Sequence, residues 1–226
     1  MTALTAHRFH FAFTVIYHYL FPQLTMGLGL LIVVLKVLQL RGNPHAGDAA
    51  RFWARVFGLT FVMGVVTGIP LEFQIGAGWS RFASATGGVI GQTLAMEGVF
   101  AFFLESTFLY LFLFGEKKMS ARTHMIVAVL VMTGSWLSGF FIIVTNAFMQ
   151  HPTGYVLATG AKGESIVKLA SISDYLLNPW AFAQYAHTMT GAVVTASIVM
   201  SAVPFFAAVS SVILPAVLLK RPRWSE

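Results

Sequence analysis

Residues 91–114 read GQTLAMEGVFAFFLESTFLYLFLF. The run is long enough to cross a bilayer as a helix, for which about 20 apolar residues suffice. It carries two acids, Glu97 and Glu105, and no base. A charged group at the centre of a membrane helix costs at least about 2.5 kcal/mol, so it faces a partner, a bound cation or a file of water rather than lipid. Eight positions separate the acids, which in a regular helix is about 12 Å of axis and a turn of about 80°. One side of this helix is then able to pass protons along its length. The bland alternative is a pair of protonated, hydrogen-bonded packing residues.

The composition around this run is that of a membrane protein. Of 226 residues, 57% are hydrophobic and only 10% charged, and phenylalanine alone supplies 21; mean hydropathy is +0.77. There is no cysteine, which excludes disulfides, iron–sulfur ligands and covalently attached c-type haem. The net charge of +6 resides in short loops beside apolar runs, so membrane topology accounts for it and no nucleic-acid partner is implied. The first apolar run is too long for a signal peptide and reads as a retained span.

Working outward, five apolar runs appear: Phe9–Leu40, Phe52–Phe73, Gly91–Phe114, Met125–Phe148 and Trp180–Leu219. The fold class expected is all-α, a single helical membrane domain over residues 1–226 with about five spans. With the N-terminus outside, the inner side holds Lys36, Arg41, Arg51, Arg55, Lys117, Lys118, Arg122, Lys220, Arg221 and Arg223. The outer side then holds Arg8, Arg81, Lys162 and Lys168, ten bases against four. That bias predicts an outer N-terminus and a cytoplasmic C-terminus. The Gly76–Gly88 stretch reads as an outer loop able to pack over a site. Residues 150–178 read as an external loop in which Glu164–Leu177 forms a surface helix. The last run exceeds one span and contains Pro204 and Pro215; a single kinked or tilted helix agrees with the charge rule, whereas a hairpin does not.

Depth singles out the candidates for chemistry. Counted from the outer end of their runs, His18, Glu97 and His187 lie about 9–14 Å down at 1.5 Å per residue. Imidazole and carboxylate ligate haem iron and other metals, although a lone intramembrane histidine is more often a hydrogen-bonded core residue. Glu105 and Ser138 lie near mid-membrane, on a possible path from the inner face to Glu97, with close packing of Gly134-Ser135 and Ser138-Gly139 as the alternative. Glu72 and Gln74 read as a solvated edge, His124 as solvated at a helix end in a basic loop, and His7, His10, His45 and His151 as interfacial. No P-loop, dinucleotide fingerprint, H-E-x-x-H or nucleophile elbow is present.

These residues, in this order, resemble subunit I of cytochrome bd quinol oxidase. The matching segments include Arg8-Phe9-His10-Phe11, Tyr17-His18-Tyr19-Leu20-Phe21, Gly64-Val65-Val66-Thr67-Gly68 and Glu72-Phe73-Gln74-Ile75-Gly76. They continue with Met96-Glu97-Gly98, Leu104-Glu105-Ser106-Thr107-Phe108, Asn178-Pro179 and His187-Thr188. The resemblance runs from about residue 7 to about 200. It implies electron transfer from quinol through haems to oxygen, with protons taken from the cytoplasm, in the inner membrane of a prokaryote. It implies haem b, with haem d as a second candidate, His18 and His187 as iron ligands, Glu97 beside the oxygen site, and Glu105 and Ser138 on the proton path. Subunit II, and a chain supplying the missing C-terminal half, are the implied partners. The family's subunit I has nine spans and an external quinol loop where this chain offers five spans. A membrane haem electron conduit, a truncated inactive fragment and a haem-free proton-conducting subunit therefore stay as alternatives.

Overall fold

The structure, a computed structural model, describes residues 2–161 and 163–219, the side chains of 209–219 excepted. Lys162, Lys220, Arg221 and Arg223 lie outside the described residues, so their share of the charge bias rests on sequence. Five helical segments are long and apolar enough to cross a membrane: Ala3–Leu40, Ala46–Gly78, Ser80–Phe114, Ala121–Gln150 and Ile172–Ala208. The first two are α1 (Ala3–Leu40) and α2 (Ala46–Gly78). The third is composite: α3 (Ser80–Met96), a π turn (Glu97–Phe102) and α4 (Phe103–Phe114). A 3₁₀ turn at Glu116–Lys118 leads to α5 (Ala121–Gln150). Strands β1 (Tyr155–Thr159) and β2 (Ser165–Leu169), the short α6 (Ile172–Leu176) and the long α7 (Pro179–Leu219) complete the order.

Local chemistry sets these limits. Thr2 and Ser120 cap α1 and α5 by accepting from the backbone N–H three residues on. Gly42, at φ +90°, makes the turn after α1 that a side chain would strain, and Asn43 Oδ1 accepts from the His45 and Ala46 N–H groups to start α2. Pro179 opens α7 behind Asn178, whose Oδ1 accepts from Trp180 N–H. The helix then continues past Pro204, in keeping with one long final span.

Three expectations are corrected here. Gly76–Gly88 is not a loop: α2 runs to Gly78 and α3 starts at Ser80, leaving Trp79 as the junction. Glu164–Leu177 is not a surface helix. Ser165–Leu169 pairs antiparallel with Tyr155–Thr159, because SIVKL alternates and is β-branched while Gly160 and Gly163, the latter at φ +81°, supply the turn. His124 is not solvated; it is 3% exposed and its Nε2–H donates to the Phe112 carbonyl at 2.9 Å.

Helix α1 is the hub, packed on α2, α5 and α7. Lipid offers no hydrophobic drive for association, so close approach of backbones does the holding. At Gly27 a Cβ would stand 2.1 Å from the Ala192 carbonyl oxygen and 2.6 Å from Ala196 Cβ. Tyr19 hydrogen-bonds Thr188 and Gln23 lies against Gly191, so α1 and α7 run parallel. Leu28, Ile32, Phe57, Phe112 and Val131 fill the core beneath. Val89, Ile90, Val144, Phe148 and Tyr175 form a second cluster at the hairpin end.

The opposite end is fastened by charge. Lys36, 3% exposed, pairs with Glu116, which also meets Arg51 at 3.5 Å; Arg51 in turn pairs with Asp48. Burial alone would raise the Glu116 pKa, but the Lys36 hydrogen bond and charge, with Arg51 and His124, outweigh it and hold it below the usual range. A free glutamate titrates at about 4.3. The stabilisation is therefore fully present above that pH and is lost as pH falls through the lower folded value. Replacing Glu116 by Gln strands a buried ammonium, and breaking a buried pair costs about 3–5 kcal/mol. Lys36→Met strands only a carboxylate that is 22% exposed and still beside Arg51. Thermal unfolding in mild detergent at neutral pH is expected to show a far larger loss for Glu116→Gln than for Lys36→Met. The acid sensitivity of the parent is expected to be blunted in Glu116→Gln.

Candidate functional site

His18 sits half-buried on α1 against α2, its Nδ1 2.9 Å from Thr67 Oγ1. The Thr67 hydroxyl spends its own proton on the Met63 carbonyl at 2.7 Å. Towards His18 it is therefore an acceptor, and the imidazole must present Nδ1–H. The Gly64 carbonyl also lies within hydrogen-bond reach of the ring. In the neutral imidazole this arrangement leaves the lone pair on Nε2. A metal-ligating histidine is oriented in this way by what its other nitrogen donates to. Gly68 clears the space, since a Cβ there would lie 3.1 Å from His18 Cε1.

His187 is exposed on α7 and has no hydrogen-bond partner among the described residues. The Tyr19–Thr188 bond joins the residues next to both histidines, so His18 and His187 share one level along parallel helices. The helix carrying Glu97 begins at Ser80 rather than Gly91, yet its partner Ser138 lies between Trp136 and Gly139 of α5, which touch Tyr185 and Met189 of α7, so Glu97 lies near the level of His187. Among the described residues no three His, Asp or Glu side chains converge closely enough to hold a bare metal ion.

The two acids of the third span both face α5. Ser138 Oγ donates to Glu97 Oε1 at 2.7 Å. Glu105, 5% exposed, hydrogen-bonds Ser135. Its backbone packs so closely on Gly134 that a Cβ there would lie 2.9 Å from Glu105 N. Glu97 lies within Coulombic range of both Glu105 and Glu72. The regular-helix offset of about 80° is thus corrected by the π turn. Ser138 is a partner of Glu97 rather than a bridge from Glu105, and Ser135 was missed as a polar partner. Its only sequence signal is the repeated small-polar pattern Gly134-Ser135…Ser138-Gly139, which reads equally well as packing. Glu72 is exposed, in keeping with an edge position, and Gln74 donates to Thr14 Oγ1 at 2.9 Å and lies 3.3 Å from His10 Nε2.

Fold and site together define a multi-pass helical membrane protein with a half-buried imidazole and two intramembrane carboxylates on one helix face. The profile of cytochrome bd terminal oxidase subunit I matches residues 6–217, and the chain belongs to that family. It is 37% identical over 197 residues to cytochrome bd-II ubiquinol oxidase subunit 1 of Escherichia coli, covering 87% of this chain and 38% of that protein. It is 33% identical over 210 residues to cytochrome bd ubiquinol oxidase subunit 1 of Bacillus subtilis, covering 91% and 43%. Among solved structures, the bd oxidase of Geobacillus thermodenitrificans superposes with a TM-score of 0.79 at 30% identity, covering 87% of this chain and 44% of that one. The chain thus spans less than half the length of the relatives it matches.

Proposed function

We propose that this chain is a haem-binding part of a bd-type quinol oxidase, oriented with its N-terminus and β-hairpin outside and its C-terminus in the cytoplasm of a prokaryotic inner membrane. The observation that carries the reading is the His18–Thr67 contact: Thr67, already donating to Met63, accepts from Nδ1–H, which in the neutral ring leaves Nε2 free to ligate iron. His187, exposed at the same level, is the second candidate iron ligand. Haem bound there supplies one-electron transfer and, with an open position, oxygen chemistry. Haem b suits a histidine ligand, and haem d is the second type proposed.

The chain's own residues hold and move the proton. Glu105, fixed by Ser135 in a buried interface, takes a proton from the cytoplasmic side. Glu97, two turns nearer the outside and oriented by Ser138, receives it at the level where charge is consumed. Quinol as electron donor, oxygen as acceptor, subunit II and a chain supplying the remaining length of the relatives are the partners of this reading. Quinol-dependent oxygen uptake by membranes containing the chain, with and without co-expressed candidate partners, tests it. Uptake only in the presence of partners is expected. Bound haem without uptake in any combination would point to an electron conduit instead.

A further inference from the structure

The six-residue π turn Glu97–Phe102 lies between two anchors on α5. On one side Thr93, fully buried, bonds Thr145 at 2.5 Å and Tyr175 at 2.8 Å. On the other, Glu105 bonds Ser135 and the Phe112 carbonyl accepts from His124. Thr93 and Glu105, whose side chains both bond α5, are twelve positions apart. At about 100° per residue this overshoots three turns by about 120°, so in a regular helix the two would face different neighbours. A π turn closes its hydrogen bond one residue later than an α turn and so absorbs one residue. Eleven effective steps make three whole turns to within about 20°. The same correction takes Glu97 and Glu105 from about 80° apart to within about 20°, and Ala101, inside the turn, is fully buried.

We propose that the π turn is a register device that brings Glu97 and Glu105 onto one face of the third span, where Ser138 and Ser135 act as their positioning residues. The helix needs two carboxylates two turns apart on the α5 face. A spacing of seven would satisfy this without a π turn, and a spacing of eight satisfies it only with one. The residue absorbed is an insertion in the structural sense, and its loss is tolerated while a further gain is not. The importance of the pair for proton movement rests on the function proposed above; the register does not.

The chain has no cysteine, so a Thr93→Cys/Thr145→Cys pair reports the register of α3 on α5 by disulfide cross-linking in membranes. It is placed in the parent, in a deletion of Val99, which is 57% exposed, and in an insertion of one alanine after Val99. The parent and the deletion are expected to cross-link alike, and the insertion at least about tenfold less. If only one length variant accumulates in the membrane, it is expected to be the deletion. Loss of the cross-link or of the protein in the deletion, or its retention in the insertion, overturns the proposal. Infrared difference spectra of point variants test the serines. Ser138→Ala should move the carboxyl band removed by Glu97→Gln, and Ser135→Ala the band removed by Glu105→Gln; an unmoved band in either case contradicts the pairing. The cross-link needs no haem, quinol or turnover, so its failure leaves the oxidase reading standing, and failure of that reading leaves the register intact.

Discussion

Substitution of His18 by alanine is expected to abolish, or convert to a high-spin form, one haem signal of the protein while leaving the helical fold in place. The ring is only half-buried and, among the described residues, its side-chain bond is to Thr67, so the fold loses little, whereas on the proposed role the iron loses its ligand. The graded version is more informative. Thr67→Val keeps the shape but removes the acceptor that holds Nδ1–H, and loss of such an orienting group lowers metal affinity about 10–100-fold. Haem titration of membranes carrying Thr67→Val should show weakened binding. In the same assay Gly68→Ala, which crowds Cε1 at 3.1 Å, should weaken binding by tilting the ring. A His18→Ala protein with an unchanged spectrum would remove His18 from the list of ligands.

Glu105 predicts the opposite pattern. The side chain is nearly fully buried, touches α5 through Ser135 and Gly134, and makes no contact with either histidine. Glu105→Gln keeps size and hydrogen bonding but cannot release a proton. Proton-coupled turnover of the assembled oxidase should fall by about 10²-fold, the lower end of what positioned acid–base groups contribute. Haem content should stay near that of the parent. Loss of haem together with turnover would make Glu105 a structural residue. Gly134→Ala, which cannot fit without moving Glu105, should reproduce the turnover defect in part, read as lowered turnover at full haem content.

Much of this was legible in the sequence, for identifiable reasons. Five spans follow from run length and hydropathy alone, and Glu97 and Glu105 stand out because charges within such runs are rare. His18 and His187 share a level, as depth counting suggested, because both occur early in parallel helices whose backbones meet at Gly27. The π turn was not legible from local hydropathy, since one absorbed residue changes phase and leaves composition unchanged. Only the side-chain bonds of Thr93 and Glu105 to the same neighbour expose it. The tautomer of His18 depends on Thr67, forty-nine positions away, which no local pattern reports. His124 looked solvated because Arg122 and Thr123 precede it. The chain in fact turns it inward onto Phe112, where the rings stack at 6.1 Å. The second strand of the hairpin, Ser165–Leu169, reads as part of a helix in sequence because five residues of alternating pattern are too few to separate the two periods.

The most direct test of the central claim is a reduced-minus-oxidised spectrum, with pyridine haemochrome quantification, of the protein purified in mild detergent beside its His18→Ala variant. The account predicts b-type haem in stoichiometric amount in the parent, with one component missing or high-spin in the variant. Haem of the same amount and spectrum in both, or none in the parent, would contradict it.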